Sequence, residues 1–454
     1  MTQKIRLIIA VFAVIAFLAV LFFPLAIQPL QKVVLAVLFL AMILWFSELV
    51  PLHITAFIAA FLLIVVGGFF DKTVFTPKEV FSPFFDPVIM LLLGGFVLAL
   101  GLQKHNLDKL MTFYLLKKVG HKPKNFLFGL MCLAAFFSFW MSNTAAAAIL
   151  LPIAIVVLNA NNLKPLNSKF GKVLVLGIAF SATIGGIGTV IGSPPNAMAL
   201  SYLNDAGISF GFTDWLMYGL PLTILLIPIA WFVLIKFFPS EIHFIKSDFS
   251  FQPLTKNQKL VLLIFGITVF LWLTTGFHGL HTSVVALIPV ILLYVFGLLE
   301  TKDINKVNWS ALILFGGGLT LGSAIQTVGL DVVFAKLLFT FLSGQALLII
   351  LFALAVFAVI FTLVASNTAA AAISIPLVIP LAQGLGIPVE IAVMIIAIGV
   401  SLDFIVPIGT PPSTIAYSSG YIKTSDMAKP GIIIALIGII LLTLLAYFVW
   451  PLFV

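Results

Sequence analysis

Apolar runs long enough to cross a bilayer, separated by short polar stretches, recur from one end of the chain to the other. About 20 consecutive apolar residues suffice for one helical crossing. The pattern predicts spans over 6–27, 33–50, 54–70, 85–103, 170–204, 215–236, 259–276, 282–299, 309–329, 388–420 and 431–453. Two further runs, 126–157 and 344–383, are too long for one ordinary crossing. The longest polar connection, roughly Lys236 to Lys259, leaves no room for a soluble domain between spans.

The charges show how the long runs are threaded. If 126–157 crossed once, the basic stretches 104–124 and 164–172 would face opposite sides; if it enters and turns back, they share one. With both long runs as re-entrant hairpins and a cytoplasmic N-terminus, only Lys32, Lys72, Lys78 and Lys336 of the 23 Lys and Arg lie outside. That asymmetry is the positive-inside pattern. It predicts a multi-pass protein of the plasma (inner) membrane with an extracellular C-terminus.

Composition agrees. The 454 residues are 62% hydrophobic and 8% charged, more apolar surface than a soluble domain can hide. The expected class is an all-α polytopic membrane protein of about 11 transmembrane helices, two re-entrant hairpins and two broken helices. A net charge of +8 suits nucleic acid in the abstract, but its location makes it a matter of topology, so no nucleic-acid partner is expected. Cys132 is the single cysteine and excludes a disulfide within the chain. The run Ile8 to Phe23 follows Lys4 and Arg6 like a signal peptide, yet lacks a small-residue cleavage site. It reads as a retained first helix.

The chain also repeats itself. Ser142-Asn143-Thr144 recurs as Ser366-Asn367-Thr368, Leu107-Asp108 as Leu330-Asp331, LLGGF (92–96) as LFGGGL (314–319), and GSPPNA (192–197) as GTPPST (409–414). These four landmarks keep one order at offsets between 217 and 224 residues, which marks an internal duplication. The charge-based topology brings one hairpin in from each side, so the repeats are inverted. The predicted divisions are a first helix over 1–32, repeat 1 over 33–238, a cytoplasmic connection over 239–258 and repeat 2 over 259–454. Secondary transporters use this plan, with the site near mid-membrane where the halves meet.

The polar residues at the hairpin turns have two readings. Ser, Asn and Thr can cap the half-helix that follows, since unpaired backbone groups are costly in hydrocarbon. They can also bind ligands. Ser138 lies four residues before Ser142 and Thr362 four before Ser366, so each pair shares a helical face, and hard cations prefer such oxygens. Gly and Pro interrupt 170–204 and 388–420: Gly185, Gly186, Gly188, Gly192, Pro194 and Pro195 in the first, Pro407, Gly409, Pro411 and Pro412 in the second. Pro-Pro can begin a new half-helix whose free N–H groups favour anions. Apart from Asp403, these motifs carry no charged side chain, and Arg6 is the only arginine. Carboxylates held by Asn and Thr donors and helix ends, with cations alongside, suit such a place.

The doubled SNT with GSPPNA and GTPP resembles the divalent anion:sodium symporter family, the INDY-type di- and tricarboxylate transporters, over nearly the whole chain from about residue 33. The resemblance implies a homodimer in the lipid bilayer that works as an elevator, with sodium ions for coupling and no organic cofactor. It implies one sodium site of Ser138, Ser142, Asn143 and backbone near Gly188, and another of Thr362, Ser366, Asn367 and backbone near Gly409. Substrate would meet Asn143, Thr144, Asn367 and Thr368, with Ser193, Pro194, Thr410 and Pro411 alongside. The implied cargo is a C4 or C5 dicarboxylate of the succinate, malate, fumarate and 2-oxoglutarate class. Segments 106–119 and 330–343 resemble the family's interfacial arm helices.

Two departures stand out. The second PPNA is Pro411-Pro412-Ser413-Thr414, which loses an amide, and Asp403 sits inside an apolar span, where acids are rare. Asp403 is either a locally paired acid or a coupling residue that takes a proton or cation. These departures keep sodium-independent dicarboxylate exchange as the alternative to symport, and sulfate as an alternative cargo. The six histidines lack metal-ligand spacing; His53, near a span end, reads as interfacial. Glu48 reads as a wetted helix terminus. An enzyme would need a nucleophile–base pair or metal motif at depth, and none is found, so the chain is not read as an enzyme. A channel would tolerate broken helices too, but would not saturate.

Overall fold

The computed structural model describes residues 3–246, 253–407 and 409–453, and among them every regular element is helical. Part of the predicted connection 239–258 lies outside the described residues. Among the described residues, thirteen helices are long and apolar enough to cross a membrane. Four of these are the arms of two hairpins: Pro123–Trp140 with Asn143–Ala160, and Leu347–Val364 with Asn367–Leu385. Two more apolar helices, Thr282–Val295 and Val389–Gly399, are shorter. Setting the arms apart and adding the short pair recovers the eleven spans expected from the sequence.

The hairpins differ from the expectation in one respect. Each arm has 18 or 19 residues, about 27 Å at 1.5 Å per residue, close to the roughly 30 Å hydrocarbon thickness. A tip at mid-depth therefore requires arms inclined to the membrane normal.

Both Gly- and Pro-rich spans are broken. Lys169–Ile187 stops and Pro194–Asp205 restarts; Val389–Gly399 stops and Pro411–Ser418 restarts. Proline stands at the first helical turn of both restarts, where its missing N–H costs nothing. Lys169–Ile187 and Val389–Gly399 are almost wholly buried, whereas Gln3–Phe22 exposes most of its side chains, Ile5, Leu7, Ile8 and Phe12 among them. Apolar side chains on such an outer helix find their solvent in lipid.

Packing between the halves is reciprocal. Each hairpin's first arm packs on its own repeat's broken helix, and each second arm packs on the restarted half-helix of the other repeat. Farther out, Pro87–Lys104 packs on Thr282–Val295, and Trp309–Thr327 on Leu52–Phe70. The duplicated glycine motif works the same way in both. A methyl on Gly94 would fall 2.6 Å from Ala286 Cβ, and one on Gly317 2.8 Å from Ala56 Cα. Small residues let membrane helices approach closely, and here they clamp the two repeats together.

Helices Leu107–Val119 and Leu330–Leu342 occupy the segments 106–119 and 330–343. Glu48 is exposed at the left-handed end of Pro29–Ser47, in keeping with a wetted terminus. The single arginine, Arg6, donates to the Leu49 carbonyl at 3.1 Å and ties the outer helix to that turn.

Candidate functional site

The turn of each hairpin is built identically. Ser142 Oγ accepts from Ala145 N at 3.3 Å, and Ser366 Oγ accepts from Ala369 N at 3.3 Å. Both serines are thus N-caps of the second arm. The next residue turns its amide back onto the first arm. Ser138 Oγ donates to Asn143 Oδ1 at 2.6 Å, and Thr362 Oγ1 donates to Asn367 Oδ1 at 2.8 Å. Ser138 Oγ also lies 2.6 Å from the Ala182 carbonyl. One hydroxyl proton is shared between two acceptors, so three neutral oxygens crowd together. Such a donor set fits a hard cation.

The two breaks are held differently. In the first, Asn196 Nδ2 donates to both Gly186 O and Thr189 O at 2.7 Å, and Trp215 Nε1 donates to Ile187 O at 2.9 Å. In the second, Thr410 Oγ1 donates to Ser413 Oγ at 2.9 Å and accepts from Ser413 N at 3.3 Å, while Thr414 Oγ1 donates across the break to Pro407 O at 2.9 Å. Thr414 thus makes one bond across the second break where Asn196 makes two across the first.

A cavity of about 380 Å³ lies where these parts meet. Its wall includes Ser142, Asn143 and Thr144 from one tip, Ser366, Asn367 and Thr368 from the other, Ser193 and Pro194 from the first break, and Gly409, Thr410 and Pro411 from the second. Ser138 and Thr362 lie fully buried, hydrogen-bonded to the two lining asparagines. Gly188 caps its helix with its Cα against the Phe139 ring; the glycine whose Cα abuts Asn143 is Gly186. Asp403 is 1% exposed, and its carboxyl abuts Gly409.

Six helices begin at this cavity: Asn143–Ala160, Asn367–Leu385, Pro194–Asp205 and Pro411–Ser418 from the tips and breaks, and Leu52–Phe70 and Trp309–Thr327 from the remaining wall. Each helix N-terminus carries about half a positive charge, so together they present about three. Among the described residues, no Lys or Arg lines the wall.

The sequence reading missed one wall. Leu52, His53, Asn308 and Ser310 also line the cavity, although His53 reads from sequence as an interfacial residue. Asn308 caps its helix by accepting from Ala311 N at 3.2 Å, as its repeat-1 counterpart Asp86 does from Val88 N at 2.7 Å. Yet Asn308 lines the cavity, and Asp86 instead accepts from Ser201 Oγ at 3.0 Å. The cavity thus breaks the symmetry of the repeats, and no local signal in the sequence reveals which half supplies that wall.

Comparison with known proteins agrees with this architecture. A structure titled as the YdaH transporter of Alcanivorax borkumensis has a TM-score of 0.61 at 16% identity, over 86% of this chain and 90% of its own, a likeness of fold alone. An uncharacterized transporter of Haemophilus influenzae is 34% identical, with 93% of each chain covered. One of Methanocaldococcus jannaschii is 36% identical over 90% of this chain and 92% of its own. The sodium-dependent dicarboxylate transporter SdcS of Staphylococcus saprophyticus is 30% identical over 90% of this chain and 84% of its own. The family model described as the sodium:sulfate symporter transmembrane region matches residues 2–454, and with the paired hairpins and breaks this makes the chain a membrane transporter of the divalent anion:sodium symporter family.

Proposed function

We propose that this protein carries C4 and C5 dicarboxylates across the plasma membrane by sodium-coupled symport. The observation that carries the proposal is the convergence of six helix N-termini on one cavity with no Lys or Arg among the described lining residues. Their summed partial positive charge suits a dianion, and fixed dipoles hold it without the strong retention of a buried Arg pair. A volume of about 380 Å³ lies at the small end of the roughly 300–1,000 Å³ usual for ligand sites. The twofold arrangement of Asn143 with Thr144 and Asn367 with Thr368 favours two carboxylates over one compact sulfate. The name of the SdcS relative points the same way.

In this reading Ser138, Asn143 and backbone of the first break hold one sodium ion, and Thr362, Asn367 and backbone of the second hold another. Ser142 and Ser366 act chiefly as caps that aim those asparagines. The hairpins and broken helices move as a body in an elevator motion against the clamped outer helices, within a homodimer. With a cytoplasmic N-terminus, His53 and Asn308 lie at the inner end, and the cavity faces inward.

Reconstituted protein and labelled succinate test the proposal. Saturable uptake driven by an inward sodium gradient is expected without internal substrate. Uptake that ignores sodium and requires internal dicarboxylate would establish the exchanger instead, and saturable uptake of sulfate but not succinate would overturn the cargo.

A further inference from the structure

Asp403 lies in the non-helical stretch after Val389–Gly399, 1% exposed, and among the described residues no side chain hydrogen-bonds its carboxyl, toward which the Ile405 N–H alone is directed. No ion pair among the described residues includes it. A buried unpaired carboxylate is among the costliest groups a membrane protein can hold. Its position raises that cost, because the C-terminal end of a helix already carries partial negative charge.

The first repeat shows what is unusual. Gly186 stands six residues before Gly192, as Asp403 stands six before Gly409. There the chain places no side chain, and Asn196 ties the break with two hydrogen bonds of 2.7 Å. In the second repeat the counterpart of Asn196 is Ser413, which bonds only with Thr410. One repeat therefore pins its break with two bonds from an amide, and the other has one bond, from Thr414 Oγ1 to Pro407 O at 2.9 Å, together with a buried carboxylate. That carboxylate faces Gly409, where an added methyl would fall 2.6 Å from Asp403 Cγ and 2.8 Å from Oδ1. Gly409 itself lines the substrate cavity.

We infer that Asp403 is a direct ligand of a cation bound behind Gly409 in the second break, so that this repeat holds a charged ion site where the first is built from neutral oxygens. Protonation would remove the charge, whereas a cation would compensate it and engage both oxygens. With the Thr414 bond, the ion does for the second break what Asn196 does for the first: it fastens the unwound backbone and shapes the cavity wall at Gly409. The inference rests on the sodium-coupled reading for the identity of the ion, not for its existence.

The test is thermal unfolding of the purified full chain in detergent, titrated with sodium chloride against choline chloride at constant ionic strength and without substrate. Wild-type protein should be stabilised by sodium. Asp403→Asn should require about tenfold more sodium for the same shift, or lose the response. In choline it should melt no lower than wild type, because an uncompensated charge has gone. Gly409→Ala, which pushes a methyl onto the carboxylate, should also weaken the response and serves if Asp403→Asn does not fold. An unchanged sodium response in either folded variant, or an Asp403→Asn deficit equal in both salts, overturns the assignment. Wild-type succinate uptake measured in parallel separates the two readings. Sodium-driven uptake with an unaltered response in Asp403→Asn removes only the ligand role. Sodium-independent uptake with an Asp403-dependent shift removes only the coupling.

Discussion

Replacing Gly186 by alanine isolates the Asn143 amide without touching it. Gly186 is in the last turn of Lys169–Ile187, and alanine is favoured over glycine in a helix by about 1 kcal/mol, so the backbone has no reason to change. The new methyl, however, would fall 2.7 Å from Asn143 Nδ2 and 2.8 Å from its Cγ, well inside the ordinary contact distance of about 3.5–4.0 Å. Ala135 backbone crowds the neighbouring Gly185, so the helix has little freedom to retreat, and the Asn143 side chain moves. It then leaves Ser138 Oγ, at 2.6 Å, and withdraws its amide from the cavity wall. A hydrogen bond to a charged group contributes about 1.5–3 kcal/mol, which at 1.4 kcal/mol per decade is a loss of about 10–150-fold in substrate affinity. Concentration-dependent succinate uptake into proteoliposomes reads this as a rise in KM. Gly68→Ala, with nothing within 4 Å of the new methyl, is the control. A KM within twofold of wild type for Gly186→Ala, or an equal loss in Gly68→Ala, would refute the role given to Asn143.

Three further predictions follow from the same geometry. Ser138→Ala and Thr362→Ala should each raise the sodium concentration for half-maximal uptake several-fold while leaving membrane insertion intact; unchanged sodium curves would remove both hydroxyls from ion binding. Asn196→Ala should lower the melting temperature in detergent, since it strips donors from two buried carbonyls at about 1–3 kcal/mol each, and Asn196→Asp, which lacks the amide donor, should not restore it. At the polar end of the outer helices, Asp303 accepts from Lys104 at 2.6 Å and from Lys306 at 2.8 Å, and the Lys104 ammonium above all holds its carboxyl well below the usual range. Because its folded value is depressed, its contribution is present above the ordinary carboxylate value of about 3.9 and is lost as pH falls through the folded value. Asp303→Asn should therefore melt lower than wild type at neutral pH, with the gap closing only in strong acid; a gap that closes near neutrality would refute the assignment.

Much of the architecture follows from one-dimensional pattern. Apolar run length predicts spans because the bilayer leaves backbone groups no partner but the helix itself. Lys and Arg placement yields the hairpins, and self-similarity yields the repeats. The Pro-Pro pairs mark both helix restarts because proline cannot continue a hydrogen-bonded ladder but can begin one. The two-residue boundary shifts, such as 85–103 against Pro87–Lys104, reflect caps like Asp86 that hydropathy does not register.

The polar interruptions are legible in one dimension: Asn143, Asn367, the two breaks and the lone Asp403. How they are shared out is a matter of packing. Ser142 and Ser366 turn out to cap helices, His53 and Asn308 join a wall assembled from both repeats, and Gly186 meets Asn143 from 43 residues away. Local chemistry chooses which residues interrupt a helix, because an unpaired backbone group acts over one turn. Which interruptions meet depends on packing between helices far apart in the chain, and two copies of one motif carry the same local signal whichever side of the cavity they come to occupy.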